Sequence, residues 1–417
     1  MRVCKAGGAP LADGASIRKM GQLLAREPER RVLVPSAPGK REARDEKITD
    51  LLYACQAAAA AGRSFGHLFD RVAERYREIA AALGLPAPDD GLRAVYTGLK
   101  EGAGAAWAAS RGEWLCGRLL ASYLDWPFVD AAEVIRFDAA GRLKTAETLG
   151  LLRRRLADGG VLPGFYGADD AGAIHTFARG GSDVTGALAA AALNADVYEN
   201  FKDVAGVYAA DPAIVPGARC VGDMTYRELR ALSRLGAQVI SEAAVAPVRA
   251  AGIPLNIRPA ADPAHPGTWI HAAFGGEAPR VTGITGRRGL TLWRLEAIEK
   301  GADMARAALD AGLPLERLAV DADTLCLTLG GKGDLPETLT ALAHQARHQE
   351  RLATLSLVGE ALPRLDAPAR FSAALTAAGI RPLSLHLPPA GQALTAVVPE
   401  ADYETGIRAV YDAFFRE

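Results

Sequence analysis

The rhythm of the first 260 residues constrains this chain most. Short apolar stretches of strand length alternate there with longer amphipathic stretches of helical period. Arg31–Ser36, Phe128–Phe137, Gly160–Phe165, Ala195–Glu199 and Ile253–Ile257 read as strands. Ile48–Ala61, Phe65–Leu83, Trp107–Leu124 and Ala187–Leu193 read as helices. Strands separated by helices predict a mainly parallel sheet with helices on both faces, an α/β sandwich of three layers. The proline-dense run from Pro259 to Gly267 reads as the exit from that domain.

The remaining third has another rhythm. Val281–Leu295, Leu318–Leu329, Ala353–Val358 and Leu394–Pro399 read as strands. Gly301–Ala311, Pro336–His348, Ala367–Ala378 and Asp402–Arg416 read as helices. This predicts two small βαββαβ units of ferredoxin-like form. The expected division is a first domain over 1–262, a linker over 263–280, and units at 281–350 and 351–417.

A chain of 417 residues exceeds what one core organises, which agrees with several domains. Its 48 basic and 49 acidic residues leave a net charge of −1, which argues against nucleic acid or an anionic membrane as partner. No long apolar run follows Met1-Arg2-Val3-Cys4-Lys5, so neither a secretion signal nor a membrane span is expected, and the expected location is cytoplasmic. The cysteines at 4, 55, 116, 220 and 326 are isolated and read as reduced thiols. His344 and His348 are four apart on an expected helix, but with no third ligand in view no metal site is expected.

The chemistry concentrates in Phe177-Ala178-Arg179-Gly180-Gly181-Ser182-Asp183-Val184-Thr185-Gly186. A glycine pair leading into a helix offers backbone N–H groups and a positive helix end, where anions bind. Arg179 has the planar fork that holds a carboxylate through two bonds. Taken alone, the same stretch reads equally well as a capped helix, with Ser182 or Asp183 as the cap. Lys5-Ala6-Gly7-Gly8 places an ammonium beside a second glycine turn. Ser36-Ala37-Pro38-Gly39, Thr49-Asp50-Leu51-Leu52, Arg111-Gly112-Glu113 and Lys202-Asp203 through Asp211-Pro212 follow in order. Each by itself is compatible with a turn, a cap or a solvated charge.

Together and in this order, these blocks resemble aspartokinases of the amino acid kinase superfamily. Gly164-Phe165-Tyr166-Gly167, Met224–Leu229 and Leu355–Gly359 extend the resemblance over nearly the whole chain. It implies an amino acid kinase fold followed by two ACT domains. It implies transfer of the γ-phosphoryl group of ATP, with Mg2+ carried by the nucleotide, to the β-carboxylate of L-aspartate. Residue by residue, Lys5 and Asp183 take the catalytic positions. Thr49, Glu113, Phe165, Arg179 and Ser182 take the aspartate positions. Gly7, Gly8, Ser36, Gly180, Gly181, Lys202, Asp203, Tyr208 and Asp211 take the nucleotide positions. Lysine or threonine as effector and a homodimer through the ACT domains are further implications. No general base is needed, because the acceptor carboxylate is already ionised, so catalysis rests on positioning and charge.

The departures from the pattern fall on the nucleotide side. Ala6 replaces the family Phe, and Ala9 and Pro10 replace two hydroxyl residues. Lys202 replaces a Thr, Ala213 an Arg, and Gln238 a frequent Lys. Two readings follow: a working aspartate kinase with a modified nucleotide site, or a non-catalytic homologue that binds amino acids as a regulator.

Overall fold

The computed structural model describes residues 1–178, 180–237, 239–273, 280–296, 301–321, 324–330, 335, 345–360, 362–388 and 391–416. The chain divides into two compact units. The first comprises Met1–Val207, Cys220–Arg227 and Val239–Phe274; the second comprises Tyr208–Arg219, Glu228–Gln238 and Gly275–Glu417.

In the first unit the elements run β1 (Arg2–Ala6), α1 (Gly14–Ala25), β2 (Arg30–Pro35), α2 (Ile48–Ala60), α3 (Gly66–Leu83), α4 (Asp89–Lys100), α5 (Ala105–Leu124), α6 (Ala131–Val134), α7 (Thr145–Arg155), β3 (Gly160–Val161), β4 (Tyr166–Ala168), β5 (Ile174–Thr176), α8 (Gly181–Leu193) and β6 (Val197–Lys202). After β7 (Asp223–Thr225) come α10 (Glu242–Ala250), β8 (Leu255–Pro259) and β9 (Thr268–His271), while α9 (Tyr226–Arg234) belongs to the second unit from Glu228 onward. The sheet order is β3-β2-β1-β6-β8-β9-β7, parallel throughout except between β8 and β9.

Alternation along the central strands assigns the two faces. Cys4 and Ala6 of β1, Leu33 of β2 and Phe201 of β6 join the core made by α1, α2, α3 and α5. Lys5, Tyr198 and Asn200 point the other way, onto α8. Helix α8 is buried nearly all round. Its run of Ala and Gly lets it lie close to the sheet and to α7 and α10 at once. The expected three-layer arrangement is therefore present.

Two local expectations are corrected. Phe128–Phe137 is not a strand, because the Asp130 carboxylate accepts from the Ala132 N–H at 3.0 Å and caps the single turn of α6. Phe128 keeps only an isolated bridge to Val161. Helix α8 begins six residues before Ala187, so the glycine-rich block forms its first turn rather than a preceding loop.

The second unit is antiparallel. It contains β10 (Arg280–Thr285), β11 (Leu290–Glu296), α11 (Gly301–Asp310), β12 (Leu315–Asp321), β13 (Thr324–Gly330), β14 (Gln345–Glu360), α12 (Ala367–Ala377), β15 (Ser384–His386), β16 (Ala393–Pro399) and α13 (Tyr403–Phe415). The strand order is β12-β13-β11-β14-β16-β15, with β10 also on β14. The division expected at 350/351 falls inside β14. Arg351 adopts the left-handed conformation (φ 57°), and the pairing with β11 slips there from Leu352 to Gln349. A bulge in one continuous strand stands where a break was expected. Strand β10 pairs with the second half of β14, from Ser356 to Glu360.

The helix expected over Pro336–His348 lies outside the described residues up to His344, and from Gln345 onward the chain is strand. His348 is exposed there, and its ring lies 4.5 Å from that of Trp293 on β11. Pairing with β11 overrides the local helical pattern. All five cysteines are free, with Cys4, Cys55 and Cys116 buried. Among the described residues no helix is long and apolar enough to cross a membrane.

Candidate active site

The carboxyl end of β1 delivers Lys5 to the α8 face of the sheet. Its ammonium lies 2.8 Å from Asp183 Oδ1, and both side chains are buried. Asn200 of β6 donates to the same oxygen at 3.0 Å, and Lys202 stands 3.7 Å from Oδ2. Burial pushes the Asp183 carboxyl up, but the Lys5 and Lys202 ammoniums outweigh it and hold the group below the ordinary range. The carboxylate is thereby fixed as the anchor between two cations.

Helix α8 opens at Gly180, whose left-handed backbone (φ 84°) makes glycine the residue of least strain. No side chain caps this end, so neither Ser182 nor Asp183 is the cap. They occupy the first turn instead, and its positive end is open to a ligand. The first glycine turn is held differently. Gly7 donates its N–H to the Phe201 carbonyl at 3.0 Å, so of that pair Gly8 is the one with a backbone donor to offer. Gly39 donates to the Gly8 carbonyl at 2.8 Å, and a Cβ on Gly39 would stand 2.6 Å from Gly8 C. This contact joins the Ser36–Gly39 loop to the Lys5–Gly8 turn. Arg75 of α3 fixes it from behind by donating to the Gly39 carbonyl at 2.9 Å.

A cleft of about 490 Å³ opens in front of these groups. Of the residues expected at the site, Lys5, Ser36, Thr49, Glu113, Phe165, Gly180, Gly181, Ser182 and Asp183 line it together. Arg179 lies outside the described residues. Lys202 reaches Asp183 without lining the cleft, and Asp203 is exposed just beyond it. Tyr208 and Asp211 belong to the second unit, where Asp211 Oδ1 accepts from the Ala213 N–H at 2.9 Å.

Glu113 sits in the buried middle of α5, where the Ala37 N–H donates to it. Its Oε2 has no hydrogen-bond partner among the described residues. Burial pushes the carboxyl up to about 7. An unpaired buried oxygen facing a cleft suits a cation, and an ammonium group of a ligand supplies both charge and donors. Phe165 forms the adjoining wall with a strained backbone (φ 81°), held by the Thr185 hydroxyl on its N–H and by Phe177 N–H on its carbonyl. Arg111, in the same sequence block as Glu113, is stacked among Trp107, Trp114 and Tyr166 and props α5.

Lys47, Asp50, Tyr53 and Phe177 also line the cleft and were not expected there. Tyr53 follows Thr49 by one helical turn on α2, a spacing that places the two on one face. That periodicity was the available signal. Among the described residues no three His, Cys, Asp or Glu side chains gather as a metal site would require.

The amino acid kinase family model matches residues 1–259. The chain belongs to the amino acid kinase family. Aspartokinase 3 of Bacillus subtilis is 31% identical over 449 residues, covering 100% of this chain and 99% of the relative. The crystal structure of Clostridium acetobutylicum aspartate kinase superposes with a TM-score of 0.91 at 32% identity, covering 99% of this chain and 100% of the other. Escherichia coli aspartokinase III, solved with aspartate and ADP, is 24% identical with a TM-score of 0.79 over the full length of both chains, a likeness of fold. The family assignment agrees with the mainly parallel first unit, and the aspartokinase relatives also span the antiparallel region, as ACT domains require.

Proposed function

We propose that this protein is an aspartate kinase that moves the γ-phosphoryl group of Mg-ATP to the β-carboxylate of L-aspartate, giving 4-phospho-aspartate, the first step of the aspartate-family amino acid pathway. The buried Lys5–Asp183 pair, set between two glycine turns at the open end of α8, carries this reading. A fixed ammonium there neutralises charge on the transferring group without reorganising during the reaction. Glu113 accepts the α-ammonium of aspartate, and Arg179 takes the α-carboxylate. Thr49, Phe165 and Ser182 form the remaining walls, and the β-carboxylate is left directed at Lys5. Gly8, Ser36, Gly180, Gly181, Lys202 and Asp203 serve the nucleotide, which brings its own Mg2+. The names of the full-length relatives support this assignment. Lysine or threonine as effector at the ACT region, assembly as a homodimer and a cytoplasmic location complete the proposal.

The test is a coupled ADP-release assay with Mg-ATP across a panel of amino acids. Turnover with aspartate above all others is expected. Absence of ADP release with every amino acid, together with absence of nucleotide binding at millimolar concentration, replaces the kinase with a non-catalytic amino-acid-binding regulator. Arg179→Ala is expected to weaken aspartate binding by about 2–5 kcal/mol, through loss of a doubly bonded ion pair. Calorimetry showing equal affinity removes Arg179 from the aspartate clamp.

A further inference from the structure

We propose that Lys202 supplies a second ammonium to phosphoryl transfer, placed on the leaving-group side of Asp183 opposite Lys5. The proposal rests on the kinase reading above and names a residue for one half of that reaction.

Strand β6 presents Tyr198, Asn200 and Lys202 on the α8 face, because side chains two apart share a side. Lys202 Nζ donates to the Val239 carbonyl at 3.0 Å and lies 3.7 Å from Asp183 Oδ2. Lys5 holds the other carboxylate oxygen at 2.8 Å. Two ammoniums thus share one buried carboxylate, and one positive charge in the cluster is left uncompensated by it. The next carboxylate along, Asp203, points into solvent. Burial lowers the pKa of Lys202, Asp183 opposes that, Lys5 adds to it, and the exposed Asp203 carboxylate opposes it in turn. Two ammoniums held against one buried carboxylate favour a ligand anion that completes the cluster.

The surroundings suit such an anion. Ser241 caps α10 and lies two residues beyond the carbonyl that Lys202 holds. The Cβ direction of Gly180 points between Ser241 Oγ, at 3.7 Å, and Asp183 Oδ2, at 3.9 Å. The amino ends of α8 and α10 therefore bracket the same side of Asp183 as Lys202. Lys5 and Asp183 line the Glu113 cleft, whereas Lys202 does not. Lys5 and Lys202 meet different oxygens of Asp183, Oδ1 and Oδ2 respectively.

In the transfer, a β-carboxylate oxygen of aspartate forms a bond to the γ-phosphorus, and the bond from that phosphorus to the β,γ-bridging oxygen breaks. The electron pair stays on ADP, and no proton moves. Negative charge grows on the β-phosphate of ADP, where the Lys202 ammonium offsets it.

The test compares full-length wild type with Lys202→Met, Lys202→Gln and Lys202→Arg, reading kcat, the KM for aspartate and the melting temperature. Removal of one such charge-stabilising donor lowers kcat by about 10²–10³-fold. The expected result is that loss in both Met and Gln variants, an aspartate KM within about twofold of wild type, and recovery of at least about tenfold in Lys202→Arg. Lys202→Gln retains a donor for the Val239 carbonyl, so wild-type kcat in that variant shows that Lys202 only braces the carbonyl and overturns the proposal. Equal kcat in the Arg and Met variants overturns it as well. Wild-type turnover with unaffected variants sinks this inference alone, whereas a wild type without turnover sinks the kinase reading beneath it.

Discussion

Tyr198 donates its hydroxyl to the backbone carbonyl of Asp183 at 2.9 Å, with both residues buried. The ring occupies the space left by Gly186, where a Cβ would stand 2.5 Å from the Tyr198 oxygen. The strand thereby sets the height of the first turn of α8 and the position of the carboxylate that anchors Lys5.

Gly186→Ala is expected to push α8 off β6 and to lower kcat through displacement of Asp183. Overpacking of this kind costs about 1–3 kcal/mol. Tyr198→Phe removes the hydroxyl that such a Cβ would strike, so the double variant is expected to recover part of the lost stability. Urea titrations of the four proteins check it, and strictly additive losses refute the coupling.

Lys5→Ala is expected to abolish phosphoryl transfer while leaving aspartate affinity near wild type. Asp183 retains Asn200 and Lys202 as partners, so the fold survives the change. Unchanged turnover removes Lys5 from the mechanism.

Glu113 makes the free protein sensitive to pH near neutrality. Its folded value is raised from 4.5 to about 7, so the folded state holds the proton more tightly than the unfolded chain. Stability from this group is therefore full below 4.5 and falls as pH rises to about 7. The loss is roughly 3 kcal/mol for a shift of this size. Glu113→Gln lacks that loss and is expected to be the more stable protein at pH 8 and the weaker aspartate binder. Aspartate affinity of the wild type is expected to rise through pH 7 as the carboxylate forms. Denaturation at pH 5 and pH 8, with calorimetry at the same values, reads both effects, and a flat wild-type profile contradicts them.

Glu199 points from β6 to the face opposite Lys5. It receives Arg30 through two bonds, at 2.7 and 2.8 Å, and Arg258 at 3.2 Å. Burial pushes its carboxyl up, but Arg30 and then Arg258 outweigh that and hold it below the ordinary value. Its contribution to stability is present above the unfolded value of 4.5 and is lost as pH falls through the depressed folded value. Glu199→Gln leaves guanidinium groups buried without a counter-charge and is expected to cost about 3–5 kcal/mol. Thermal melts at pH 7 and pH 3 test it: the deficit should shrink at the lower pH, and a constant deficit argues against an electrostatic origin.

The sequence by itself determined the α/β sandwich, because the alternation of strand-length and helix-length apolar runs is written locally. It also determined most of the cleft. Lys5, Glu113 and Asp183 lie in short blocks that singly fit a turn, a cap or a solvated charge, and only their order along the chain, through the resemblance it carries, pointed to one site. What could not be read locally depends on partners distant in sequence. Residues 345–350 became strand because β11 stood beside them, some fifty positions away. Gly7 gave its N–H to Phe201 across 194 positions of chain, which no glycine count reveals. Only the tertiary structure placed Lys202 against Asp183, since the faces of β6 are fixed by its register with β1. Local pattern sets which elements form, whereas register and packing between them decide which charges meet.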